Sequence, residues 1–101
     1  MNKGGRGDID DLKRAIKHLY NCRALHAGEV AVVEKYGSNT TWGGIVHIFK
    51  IVGHPDTEIC YAWSSAIEGS TKRRYYAVLK IPPIDTPEKA IRASIVADFK
   101  K

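Results

Sequence analysis

Three groups of residues in this chain are of types that do chemistry. His18, Cys22 and His26 fall at i, i+4 and i+8. On a helix that spacing makes one face, and imidazole with thiolate suits zinc. Packing accounts for the same residues more simply. Ile9, Leu12, Ile16, Leu19 and Cys22 repeat at three to four residues as an apolar stripe, in which a thiol behaves as a small apolar group. His26 then stands near a helix C-terminus, where a cation is favoured. No second ligand pair follows at a recognised spacing, so the reading assigns no metal ligands and no cofactor.

The second group is Ser64, Ser65, His47, His54 and Cys60. No nucleophile-elbow, phosphate-loop or paired-carboxylate motif surrounds them. No residue is assigned a catalytic role, and a non-enzymatic protein is favoured over an enzyme. The third group is "KRRYY", where Lys72, Arg73 and Arg74 precede Tyr75 and Tyr76. Cations beside aromatics can hold a nucleic-acid backbone while Tyr61, Trp63 and Tyr76 stack bases, with Lys80 adding charge. A solvated hairpin tip that keeps an edge soluble needs the same residues, and the small net excess of positive charge favours it.

These residues need elements to position them. Residues 1–7 are polar and glycine-rich and read as a disordered tail, leaving 8–101 as one domain. Asp8 can cap a helix with Asp10 and Asp11 in its first turn, and Gly28 is a natural stop. The segments 29–36, 42–52, 58–67 and 73–81 are β-branched or alternating and read as strands, with turns short enough for hairpins. Gly43 and Gly44 suggest a bulge or a close approach. Thr86 as N-cap and Pro87 at the first helical position open a second helix. The order α-β-β-β-β-α predicts an α+β domain, a four-stranded antiparallel meander with both helices on one face.

Alternation then assigns the faces. If the 69–72 turn sets Glu68 opposite Arg73, Trp63 opposes Val78 and Ser65 opposes Tyr76. If the 53–57 turn sets Val52 opposite Glu58, His47 opposes Trp63 and Phe49 opposes Tyr61. One face is then small and aliphatic and takes both helices. The other gathers His47, Phe49, Tyr61, Trp63, Tyr76 and Val78 and has nothing to cover it, although contiguous apolar patches above a few hundred Å² are rarely left exposed.

Composition narrows the classes. The chain has 101 residues, 44% hydrophobic and 27% charged, with a net charge of +5 and a pI near 9.3. Two cysteines are too few for a disulfide framework and favour a reducing, cytoplasmic setting. No apolar h-region follows the N-terminus, and no run approaches the roughly 18 apolar residues of a membrane span. Arg6-Gly7-Asp8 and the Asn39-Thr40-Thr41 sequon both need an extracellular protein and are read as chance.

The helix–antiparallel sheet–helix order is similar to that of double-stranded-RNA-binding domains. Here there are four strands where that family has three, and Lys89 and Arg92 stand where it places a lysine cluster. "CYAWSS" followed by "RRYYAVLKIPPIDTPEKAIRASIV" resembles short uncharacterised bacterial proteins, including those carried in mobile integron gene cassettes, over about the C-terminal half. That resemblance implies no activity and no functional residues.

The expectation is a binding module that forms a homodimer, or encloses an apolar ligand, through Phe49, Tyr61, Trp63, Tyr76, Val78 and His47. Aromatic side chains are typical anchors at the centre of such interfaces. The alternative is single-stranded nucleic acid on the same face, held by Lys72, Arg73, Arg74 and Lys80.

Overall fold

The computed structural model describes residues 5–36, 40–67 and 69–99. Most of the expected tail, the sequon's Asn39 and the turn residue Glu68 lie outside them. Six elements follow in the expected order: α1 (Gly5–Tyr20), β1 (Arg23–Tyr36), β2 (Thr40–Val52), β3 (Ile59–Ala66), β4 (Arg73–Leu79) and α2 (Pro87–Phe99). The strands form one antiparallel sheet in the order β1-β2-β3-β4. The protein is an α+β domain, and no helix among the described residues is long and apolar enough to cross a membrane.

The first helix opens at Gly5, ahead of Asp8, and is shorter at its far end than the sequence pattern suggests. Leu12 and Ile16 are buried, with Ile9 and Tyr20 packed beside them, while Leu19 faces out. The helix stops because Asn21 takes the left-handed conformation at φ 56° and its N–H donates to Lys17 O at 2.8 Å. Asparagine is the residue that most often replaces glycine in such a cap. From Arg23 the chain is strand. Cys22 and His26 are therefore not on the helix, and the one-face trio of His18, Cys22 and His26 does not form.

The β3–β4 ladder pairs Trp63 with Tyr76 and Ala66 with Arg73. That is two residues from the expected register, which leaves the faces unchanged. The β2–β3 ladder pairs His47 with Ala62 and Phe49 with Cys60. That is one residue from expectation, and a one-residue slip moves every side chain of a strand to the other face. Phe49, His47 and Ile51 consequently share a face with Cys60, Ala62 and Ala77. Tyr61, Trp63, Tyr76 and Val78 share the opposite face with Val46 and Ile48.

Both faces are thus apolar, and both need cover. The helices accordingly lie on opposite faces, not together on one. On the first face, α1 lies over β4, β1 and β3, and its Leu12 and Ile16 pack with Cys22, Ala24, Phe49, Ile51, Cys60 and Ala62. On the second, α2 lies over β1, and its Ala90 and Ile91 pack with Val32, Val46, Tyr61 and Trp63. The start of α2 is as the sequence implies: Lys89 N–H donates to the Thr86 hydroxyl at 3.2 Å. An ion pair between Arg92 Nε and Glu34 Oε1 at 3.0 Å ties α2 to β1. Cys22 and Cys60 are free and buried.

Candidate functional site

The middle ladder is the shortest. It stops at His47↔Ala62, while β1–β2 runs on to Tyr36↔Thr40 and β3–β4 to Ala66↔Arg73. Beyond His47 the two outer hairpins part, and a cavity of about 520 Å³ opens between them. Its walls are Trp42, Gly43, Gly44, Ile45 and His47 from β2, and Ser64, Ser65, Ala66 and Arg73 from β3 and β4, with Asp8 of α1 at its mouth.

Two contacts shape this cleft. The Trp42 indole reaches from β2 to β3 and donates Nε1–H to Ser65 Oγ at 3.1 Å, bridging the parted strands on the α2 side. Gly44 permits this, because a Cβ there would stand 3.1 Å from the Trp42 ring. On the α1 side, Arg73 donates from Nε to Ser64 Oγ at 2.8 Å and from a terminal nitrogen to Ser64 O at 3.2 Å. The guanidinium is held at the rim while still exposed, and bidentate anion recognition needs a fixed planar fork of this kind.

At the closed end of the cleft lies a second constellation. The β1–β2 register shifts between His26 and Gly28, leaving Ala27 as the extra residue of a bulge. Without it, His26 and Glu29 would point to opposite faces; with it, they share one. His26 stands opposite Phe49 and Glu29 opposite His47. His26 Nε2 lies 3.0 Å from His47 Nδ1, and Glu29 Oε1 lies 3.7 Å from the same nitrogen. The His26 ring also meets Phe49 edge-on, with centroids 5.4 Å apart. His47 is buried whereas His26 and Glu29 are exposed. Burial, and then the neighbouring His26, hold the His47 pKa below its ordinary value, with Glu29 and Asp8 opposing. Its ring is therefore favoured in the neutral form that can offer a lone pair.

The six aromatic-face residues expected to act together are divided. Tyr61, Trp63, Tyr76 and Val78 belong to the α2 face, and His47 and Phe49 to the α1 face. Trp63 is 1% exposed. Tyr76 stacks on it at 5.2 Å, and the Arg74 guanidinium lies over Tyr76 at 5.6 Å. The Tyr61 hydroxyl donates to Asp85 O at 3.3 Å. These aromatics are packed core. The basic residues are divided too: Lys72, Arg73 and Arg74 lie at the β3–β4 turn, Arg73 and Arg74 pointing to opposite faces, and Lys80 lies beyond the far end of β4.

Sequence reasoning missed Trp42 and Glu29 as members of a site, and weighed His26 and Ser65 only in other groupings. The signal for Trp42 was the glycine pair beside it. The signal for Glu29 was a strand that begins at Arg23, hidden once Gly28 was read as the end of a helix. Set against family descriptions, curated proteins and solved structures, the chain matches none.

Proposed function

We propose that this protein is a small binding module whose ligand occupies the cleft where the two hairpins part. The carrying observation is the interrupted β2–β3 ladder, which leaves a cavity of about 520 Å³ between otherwise continuous hairpins. That volume lies within the roughly 300–1,000 Å³ of small-molecule sites. Its lining mixes the apolar Trp42 and Ile45 with Ser64, Ser65, His47, Asp8 and the Arg73 fork. The ligand such a lining fits is a small, partly flat molecule with a carboxylate or similar anionic group toward Arg73.

An uncovered aromatic face was the motive for a homodimer and for base stacking. With α2 packed over Trp63 and Tyr61, that motive is gone, and neither reading is retained as the leading one. Amide and indole NMR shifts on titration with a panel of small aromatic carboxylates test the proposal. Responses gathered at the Trp42 indole, Gly43, Gly44, Ser64 and Arg73 are expected. Binding confined to the shallow groove of Pro83, Ile84, Lys89 and Ala93, or no response across the panel, would count against it.

A further inference from the structure

We propose that His26, Glu29 and His47 form a binding site for a divalent transition-metal ion of the zinc class. The inference does not need the cleft to hold an organic ligand, although His47 belongs to both. It rests on three side chains from two strands whose ligand atoms all lie within 4.8 Å of one another. Two nitrogens bound to one zinc at about 2.0–2.1 Å stand roughly 3.3 Å apart at the tetrahedral angle. The His26 Nε2 to His47 Nδ1 separation of 3.0 Å and the Glu29 Oε1 to His47 Nδ1 separation of 3.7 Å bracket that value. His26 and Glu29 are exposed, so their side chains are free to turn toward a common centre with His47 Nδ1.

The local backbone produces this set. A regular strand cannot place residues three apart on one face, and the bulge at Ala27 does so. Glu29 is thereby set opposite a buried imidazole on the neighbouring strand, with His26 beside it opposite Phe49. The His26 ring meets Phe49 edge-on. Two imidazoles and one carboxylate suit zinc, nickel, cobalt or ferrous iron, and not magnesium, which favours oxygen ligands. Three protein ligands leave a coordination position for water or for an oxygen of a bound molecule, beside a cleft that His47 itself lines.

Calorimetric titration of the metal-free full chain with zinc chloride tests the site, with cobalt(II) absorption reporting ligand type. One zinc per chain is expected, with a cobalt spectrum that lacks thiolate charge transfer. His26→Gln and Glu29→Gln are suitable variants because both residues are exposed, and each is expected to weaken zinc binding by roughly tenfold or more. His18→Gln and His54→Gln are expected to leave affinity unchanged, and magnesium should not compete. No stoichiometric zinc binding would overturn the site. So would binding that survives either His26→Gln or Glu29→Gln, or binding lost on changing His18 or His54. A plain hydrogen bond between the two imidazoles would then account for the 3.0 Å contact.

Discussion

The two faces of the sheet carry similar numbers of rings and use them differently. On the α2 face, Trp42 meets Trp63 edge-on at 6.2 Å, Trp63 stacks on Tyr76, and Ala90 and Ile91 close the cluster. Two ring polar atoms find partners locally: the Trp42 N–H donates to Ser65 and the Tyr61 hydroxyl to Asp85. On the α1 face, Phe49 is buried, but the rings beside it are His26 and His47, at the margin of the helix cover and facing an exposed carboxylate. One face uses its rings to fill volume. The other leaves nitrogen and oxygen atoms converging near solvent, where a ligand can reach them.

Trp63→Ala is the largest test of that contrast. Trp63 is fully enclosed, so truncation should cost about 3–5 kcal/mol through the cavity left behind, read as a lowered urea midpoint. If Trp63 served a surface function instead, the variant would unfold with the parent.

The element order was legible in the sequence because each element carries local chemistry: Thr86-Pro87 at the start of α2, Gly69 in the β3–β4 turn, and β-branched runs between. The faces were half legible. The β3–β4 register was off by two residues, which preserves alternation, while the β2–β3 register was off by one, which inverts it. Nothing local fixes that parity. The turn after β2 sets Ile51, not Val52, against Glu58: Ile51 N–H donates to Glu58 O at 2.8 Å. The candidate site was illegible for the same kind of reason. It depends on a bulge at Ala27 and on where a middle ladder stops, and both are outcomes of long-range pairing.

Alkaline titration should sharpen the contrast from the side of the packed interior. Burial pushes the Cys60 thiol up to about 12, and burial is also the first cause raising the phenols of Tyr20, Tyr61 and Tyr75. The fold favours the neutral form of each. Their contribution is full below the unfolded values, about 9 for the thiol and about 10 for the phenols, and is lost as pH rises through the folded ones. Stability should therefore hold up to about pH 9 and fall steadily above it. Native-state labelling of Cys60 by a disulfide reagent near pH 8 should be slow and limited by opening. Rapid labelling, or stability that rises above pH 10, would show that the interior is looser than its packing indicates.

A smaller effect belongs to the boundary between α1 and β1, on which His26 depends for its place in a strand. Asn21 holds φ 56°. Alanine in that conformation costs roughly 1–2 kcal/mol, whereas glycine adopts it freely. Asn21→Ala should lower the unfolding midpoint by about that amount, and Asn21→Gly should match or exceed the parent. Equal stability of Asn21→Ala would mean that the helix end is set by packing of Tyr20, whose hydroxyl donates to Ala77 O at 2.8 Å, and not by the cap.

The smallest expected effect tests the contrast most directly. His26 is as much a part of a ring cluster as Trp63, lying 5.1 Å from the His47 ring and 5.4 Å from Phe49. Yet it is exposed, and surface substitutions commonly change stability by no more than about 0.5 kcal/mol. In metal-free protein, His26→Gln should stay within roughly that range, because the glutamine amide can still meet His47 Nδ1 and Phe49 keeps its cover from α1. The same substitution is expected to weaken zinc binding by roughly tenfold or more. A residue whose loss scarcely moves the urea midpoint while weakening a ligand's stabilisation of the fold is acting through its lone pair. If His26→Gln instead destabilises the metal-free chain by several kcal/mol, the histidine cluster is a packing device like the tryptophan cluster, and the two faces differ in composition alone.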